Sequence, residues 1–285
     1  MKRLFIIVNP ISGKGKSLKI LPEISKYLTN KGYGFETYHT QNSSDYSAIK
    51  SRLSAQSDWY AILILGGDGT LNDVINSLPA NFDCPFMVIP CGSGNDFASW
   101  LYGNLMVQSI LNKLDEKNEV RIDIGECNGK RFINGVGIGY DGWVAREAEK
   151  GVRWLSPGLK YHLAILRGLF TFKPFESNFG KALILAVANG PTYGGGFRIA
   201  PGADPSDHKL NLWHIKPISV WMRPYYLSII KKGSHSKIKG PYETKLVDQV
   251  TVECQKSMPA HMDGEYFEAQ KFEIKLSGLK VVFIK

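Results

Sequence analysis

Residues 61–75, AILILGGDGTLNDVI, read as an apolar strand that breaks at Gly66 and Gly67 and resumes as a helix from about Leu71. A glycine-rich turn between a strand and a helix suits phosphate, because its exposed backbone N–H groups and the helix N-terminus both attract anions. This turn also carries a carboxylate, Asp68, between Gly67 and Gly69. An uncompensated carboxylate repels polyphosphate, by about 4 kcal/mol for unit charges 4 Å apart at an effective dielectric of 20. A divalent cation between them reverses the sign, and Mg²⁺ is commonly held by one or two carboxylates, water and substrate phosphates. Asp68 therefore makes sense if ATP arrives with magnesium. Helix capping is the bland use of an Asp at such a turn. It fits Asp96, just before FASWL, better than Asp68, because Thr70 or Asn72 is better placed to cap the helix after the glycines.

Two further turns have the same character. NPISGKGKS, residues 9–17, ends like a P-loop at Gly15, Lys16 and Ser17, but Pro10 stands where that motif needs its leading glycine, so a P-loop is rejected. PCGSGNDF, residues 90–97, joins glycines to Ser93 and Asp96, as GGDGT joins them to Thr70 and Asp68. Neither matches the dinucleotide fingerprint G-x-G-x-x-G with an acidic residue about 20 positions on, which disfavours a Rossmann oxidoreductase.

Up to about residue 120, short apolar strands (RLFIIV, GFETYHT, WYAILIL, PFMVIP) alternate with helical segments, and each glycine turn follows a strand. Such alternation predicts an α/β domain with a parallel sheet and ligands at the C-terminal ends of the strands. From about Arg121 the strands RFINGVGIGY, KALILAVANG, LNLWHI, DQVTVEC, KFEIKL and KVVFIK are joined by Gly, Asn, Asp and Pro, which predicts an antiparallel β-sandwich with one or two inserted helices. The expected domains are 1–120 and 121–285, with the hydrophilic NKLDEKNEV, residues 112–120, as linker.

Composition agrees with a folded protein. The 285 residues are 44% hydrophobic and 21% charged, proportions that exclude a largely disordered chain. The opening apolar run of five residues before Asn9 is too short for a signal peptide, and no run reaches the roughly 18 apolar residues of a spanning helix. Cys84, Cys91, Cys127 and Cys254 form no CxxC pair, so reduced thiols in a cytoplasm are expected in place of disulfides or zinc. The net charge of +9 suggests an anionic partner such as a nucleotide, a nucleic acid or an anionic membrane.

NPISG, GGDGT, PCGSGND, GIGYD, YGGGFRIAP and MDGE, in this order between residues 9 and 265, resemble the diacylglycerol kinase catalytic domain. That superfamily also contains sphingosine and ceramide kinases and the smaller bacterial lipid kinases. The resemblance implies a nucleotide domain followed by a β-sandwich, with the active site in the cleft, and transfer of the ATP γ-phosphoryl group to a lipid hydroxyl with Mg²⁺. It assigns Asn9, Thr40, Gly66, Gly67, Asp68, Gly69, Thr70, Leu71, Asn72, Ser93, Asn95 and Asp96 to the nucleotide site, with Ser93 where the family usually has Thr. Glu265 would be the proton acceptor, Asp263 would lie beside the reacting phosphate, and Asp68 would join them as a catalytic and metal-side carboxylate. Asp141 would sit near the acceptor. A D-G pair on its own reads as a hairpin turn. Many bacterial relatives bind a second, structural magnesium through Asp-Asp-Gly and Leu-Asp, whereas this chain reads ADPSDHKLN, which leaves Asp207 as the sole matching ligand.

Two stretches bear on membranes. Leu159, Leu163, Leu166 and Phe170 make one apolar helix face, for which burial against the sheet is favoured over lipid contact. Trp221, Tyr225, Tyr226 and Ile229 lie close to Lys231, Lys232, Lys237 and Lys239, a combination equally suited to an anionic interface. The leading expectation is a cytoplasmic, peripherally membrane-associated lipid kinase acting on diacylglycerol or a related glycerolipid or sphingoid lipid, with no nucleic-acid partner. NAD kinase shares a GGDGT turn and is the second enzyme reading. A non-catalytic protein binding anionic membranes is the reading from another class.

Overall fold

The computed structural model describes residues 2–41, 45–55, 58–79, 82–151, 155, 157–237 and 239–285. The chain divides into two compact units, Met1–Asp123 with Gly278–Lys285, and Ile124–Ser277. The strand rhythm alone assigns the last eight residues to the second half; in the structure they belong to the first unit.

The first unit alternates β1 (Arg3–Val8), α1 (Lys16–Asn30), β2 (Gly34–His39), α2 (Asp45–Ala55), β3 (Ala61–Gly66), α3 (Asp68–Ser77), β4 (Phe86–Pro90), α4 (Asp96–Tyr102) and α5 (Val107–Glu116). Its strands pair in parallel in the order β4-β3-β1-β2. β3 and β4 are buried along their whole length, and β1 beyond Arg3, as expected of strands covered on both faces. β2, at the edge, has no fully buried position. The chain's final residues pair parallel to β4, with Phe283 opposite Phe86. The Phe283 ring also lies 4.7 Å from Phe97 of α4, so the returning segment anchors that helix. The stretch expected to be a linker is structured. Its first half completes α5, which buries Ile110, Leu111 and Leu114, and a strand begins at Glu119.

The second unit contains β5 (Glu119–Cys127, within which the chain passes from the first unit), β6 (Lys130–Phe132), β7 (Gly135–Gly139), α6 (Tyr140–Lys150), α7 (Pro157–Thr171), β8 (Phe175–Ser177), β9 (Gly180–Ala182), β10 (Ile184–Ala188), β11 (Leu210–Ile215), α8 (Arg223–Lys232), β12 (Tyr242–Val247), β13 (Gln249–Met262) and β14 (Glu265–Ile284). β12-β11-β10-β7-β13-β14 form an antiparallel sheet, and β5–β6 and β8–β9 are hairpins. KFEIKL and KVVFIK, separate in the sequence reading, are one 20-residue strand. β13 shifts register between Glu253 and Met258, a bulge that bends so long a strand.

α7 corrects the expectation for its apolar stripe. Leu159, Leu163, Leu166 and Phe170 are 47%, 48%, 56% and 54% exposed, while Ala164, Ile165 and Leu169 are buried. The helix is apolar on two faces, and periodicity alone could not say which one meets the sheet. Among the described residues no helix is long and apolar enough to cross a membrane. The four cysteines are free thiols.

Candidate active site

The parallel sheet places the ends of β1, β2, β3 and β4 on one edge, and the three glycine turns meet there. A methyl on Gly92 would lie 2.6 Å from the Gly67 Cα, so the turns after β3 and β4 touch backbone to backbone. Gly13 of the first turn approaches Cys91 so closely that a Cβ would fall 2.0 Å from its carbonyl oxygen. Side chains lace the turns together. The Asn9 amide donates to the Thr70 hydroxyl at 2.8 Å, and Lys16 Nζ donates to the Pro90 carbonyl at 3.2 Å. The Ser17 hydroxyl donates to the Asn9 carbonyl at 2.6 Å. Asn95 braces the third turn by accepting from the Gly92 N–H and donating to the Gly92 carbonyl. Thr40, buried at the end of β2, donates its N–H to the Val8 carbonyl at 2.9 Å. Gly69 and Ser93 are exposed on this edge. Two assigned residues point elsewhere: Leu71 is buried in the core, and buried Asn72 accepts from Asn76, leaving Leu71 its backbone alone for a nucleotide. Gly92→Ala should cost roughly 1–3 kcal/mol, because two backbones cannot yield as a side chain can. Calorimetry should show a lower Tm.

Asp68 is used differently from the sequence expectation. α3 begins at Asp68, not near Leu71, and its N-cap, Gly67, supplies no side-chain cap. Neither Thr70 nor Asn72 fills that role, so the first-turn N–H groups of α3 face the edge where the turns meet. The Asp68 carboxylate instead caps the neighbouring helix, accepting from the N–H groups of Asp96 at 3.0 Å and Phe97 at 3.2 Å. Burial, reinforced by the charge of Asp96, pushes its carboxyl up to about 6, against the lowering effect of those hydrogen bonds. Asp96, expected to cap α4 itself, is buried in that helix's first turn.

In the second unit, MDGE forms the two-residue turn between β13 and β14. Asp263 and Gly264 both have positive φ, 48° and 91°, as tight hairpins require. The Asp263 carboxylate accepts from the N–H groups of Ile133 (2.7 Å), Asn134 (2.9 Å) and Gly135 (2.9 Å). These bonds clasp the hairpin to the segment entering β7, and they fix Glu265 two residues on. Glu265 opens β14, is half-exposed and forms an ion pair with Lys130 of β6.

Asp141 lies in the first turn of α6, and its carboxylate accepts from the Tyr193 hydroxyl at 2.8 Å. The Tyr193 ring sits edge-on to His261, 4.8 Å between centroids. The YGGGF bend, the start of α6 and the end of β13 are thereby joined. The bend borders a small cavity of about 30 Å³, in which Asp141 lies among aliphatic and aromatic side chains including Val144, Ile165, Phe197 and Leu227.

Burial pushes the Asp141 carboxyl up to about 6, partly offset by the Tyr193 hydrogen bond, and pushes the His261 imidazole down to about 4. The raised carboxyl costs the native state stability above about pH 6, and the cost disappears as the pH falls toward the ordinary value of 3.8. His261 has the opposite slope, removing stability as the pH falls from 6.5 through about 4. Asp141→Asn should therefore raise the Tm at pH 8 by relieving a cost on the order of 3 kcal/mol. The gain should fade toward pH 4, exposing the acid sensitivity due to His261. A Tm shift independent of pH would contradict the assignment.

Asp207 sits in an exposed turn, where it accepts from the Lys209 N–H at 2.9 Å, and Asp204 of the same turn accepts from Ser206. Among the described residues no three His, Cys, Asp or Glu side chains cluster as a metal site.

Two family models cover most of the chain. Residues 3–127 match the diacylglycerol kinase catalytic domain, and residues 134–277 match the YegS C-terminal NAD kinase beta sandwich-like domain. The chain belongs to the diacylglycerol kinase family. It is accordingly a lipid kinase. Diacylglycerol kinase of Bacillus subtilis (strain 168) is 28% identical over 93% of this chain and 90% of its own length. That of Staphylococcus carnosus (strain TM300) is 27% identical over 93% and 89%. A crystal structure of a diacylglycerol kinase from Bacillus anthracis str. Sterne aligns with TM-score 0.68 at 20% identity, covering 99% of this chain and 96% of that one. An NAD kinase from Archaeoglobus fulgidus in complex with ATP aligns with TM-score 0.55 at 15% identity over 100% and 94%. At these identities the two structures show the fold alone.

Three residues of this lipid kinase were not assigned from its sequence. Tyr193 stands inside YGGGFRIAP and His261 directly precedes MDGE, but nothing local joins them to Asp141. Lys130 lies 135 residues from Glu265 and carries no motif at all.

Proposed function

We propose that this lipid kinase transfers the γ-phosphoryl group of ATP to the hydroxyl of diacylglycerol or a related glycerolipid or sphingoid lipid. The reading is carried by the meeting of three glycine turns beside the uncapped N-terminus of α3, an arrangement suited to a polyphosphate. Asp68 and Asp96 fit Mg²⁺, because the charge of Asp96 adds to the cost of ionising Asp68 and a cation would relieve it. When bound there, Mg²⁺ would neutralise charge on the phosphates.

The chain's own groups supply the rest. The turns orient the phosphates, Lys16 adds a positive charge at the first of them, and Asp263 holds the hairpin that presents Glu265. Glu265 accepts the hydroxyl proton as the oxygen attacks phosphorus. Its exposed ion pair with Lys130 is of a kind worth little in water and is readily exchanged for a substrate hydroxyl. The second unit's small cavity has the mostly apolar lining that the apolar part of a lipid requires, and Asp141 on its wall would accept a hydrogen bond from the polar end of the acceptor. Asp207 remains a proposed ligand for a second magnesium. The NAD kinase alternative rests on likeness of fold.

The test offers labelled ATP and Mg²⁺ with diacylglycerol, monoacylglycerol, sphingoid base, ceramide and phosphatidylglycerol, with NAD as a parallel acceptor, and separates the products by thin-layer chromatography. A labelled lipid is expected. Label in NADP and in no lipid would overturn the reading.

A further inference from the structure

The outer surface of α7 and the corner leading into α8 combine features that the transfer chemistry does not use. Leu159, Leu163, Leu166 and Phe170 are about half exposed along α7. Arg223, buried at the start of α8, donates to the carbonyls of Leu169 at 2.8 Å and Phe172 at 2.9 Å, which holds the corner against the end of α7. That contact brings Trp221, Met222 and Tyr225, 86%, 46% and 55% exposed, to the same end of the helix as Phe170.

Charge follows the same segments. Residues 150–175 contain five Lys or Arg and residues 208–242 seven, with no Asp or Glu in either stretch; Arg223 is buried, and Arg167, Lys209 and Lys216 pair with Glu147, Asp248 and Glu243 from outside them. Lys231, Lys232, Lys237 and Lys239 are all exposed. Ile238 of this stretch lies outside the described residues. Exposed Trp, Tyr and Leu bordered by lysine match the requirements of an anionic membrane interface, where rings and aliphatic groups enter the headgroup region and the lysines meet lipid charge. A second copy of this chain is a poorer occupant, because it would bring the same positive charge against the face. The inner sides of α7 and α8 line the cavity near Asp141 and a second apolar cavity bordered by Leu169, Tyr226 and Ile230.

We propose that the outer face of α7 and the Trp221 corner dock this enzyme on an anionic bilayer, bringing the apolar cavities beneath those helices to the surface where the lipid acceptor resides. The proposal rests on the lipid-kinase reading for what enters the cavities, but docking itself requires neither ATP nor turnover.

Flotation of the full chain with vesicles of phosphatidylglycerol and phosphatidylcholine, and with phosphatidylcholine alone, tests it. The wild type should float with the anionic vesicles, and less so at high salt. Leu166→Glu and Trp221→Glu should each reduce vesicle-bound protein at least tenfold with unchanged near-UV circular dichroism. The pair Lys231→Gln with Lys232→Gln should reduce the preference for phosphatidylglycerol several-fold. Wild-type protein that fails to float, or glutamate variants that float as well as wild type, would overturn the proposal. So would a wild-type dimer that Leu166→Glu dissociates without any vesicle binding, which would assign the face to a second copy. Because no phosphate is transferred in this experiment, its failure is distinct from failure of the kinase reading.

Discussion

Asp68→Asn should lower kcat for lipid phosphorylation by about 10²–10³-fold, the scale expected when one preorganised electrostatic contact to a developing charge is removed, while the protein remains folded. Two effects on stability oppose each other. The substitution removes one of two cap bonds to α4, and a lost cap costs about 1 kcal/mol. It also removes a buried carboxylate whose titration is pushed up to about 6. That raised value means a cost present above pH 6 and relieved below it, so at pH 8 the Asn variant regains an amount on the order of 3 kcal/mol. Without nucleotide or metal, the Tm at pH 8 should therefore be unchanged or higher, and the gain should vanish toward pH 4. Full turnover in Asp68→Asn would leave Asp68 as a helix cap and nothing more. A lowered Tm at pH 8 would show that the cap outweighs the burial cost.

Glu265→Gln should remove most activity, about 10²–10⁴-fold in kcat, the usual contribution of a positioned general base. The KM for ATP should hardly change, because Glu265 lies on the second unit's hairpin and not on the glycine turns. Gln occupies the same volume and retains a hydrogen bond to Lys130, so thermal stability should stay near wild type. Lys130→Met provides the contrast. It breaks the same exposed ion pair but leaves the Glu265 carboxylate in place, and should retain most turnover. If Lys130→Met and Glu265→Gln lost activity equally, the ion pair rather than proton acceptance would be the essential feature.

The local grammar of the chain gave away more of the fold than of the site. Continuous apolar runs such as AILIL and FMVIP identify buried parallel strands, and the D-G pair in MDGE identifies a hairpin, because both depend on neighbouring residues. What escaped depends on contacts between residues distant in sequence. Asp68 looked unsuited to capping its own helix, and it caps another one 28 residues away. The eight terminal residues resemble any edge strand, and their place beside β4 follows from Phe283 packing against Phe86 and Phe97. NKLDEKNEV looked like a linker because its charged residues mask Leu114, which is fully buried. The two apolar faces of α7 were indistinguishable by period. The hydrogen bond from Tyr193 to Asp141 spans 52 residues and has no local signature.

Transfer from ATP to a lipid hydroxyl can be followed in a single experiment, ³¹P NMR of the complete reaction. Incubation with ATP, Mg²⁺ and diacylglycerol in mixed micelles should produce ADP together with an equal amount of a lipid phosphomonoester, and Glu265→Gln should abolish both signals. ADP accompanied by inorganic phosphate, with no lipid phosphomonoester from any of the glycerolipids or sphingoid lipids tested, would rule out transfer to a lipid hydroxyl.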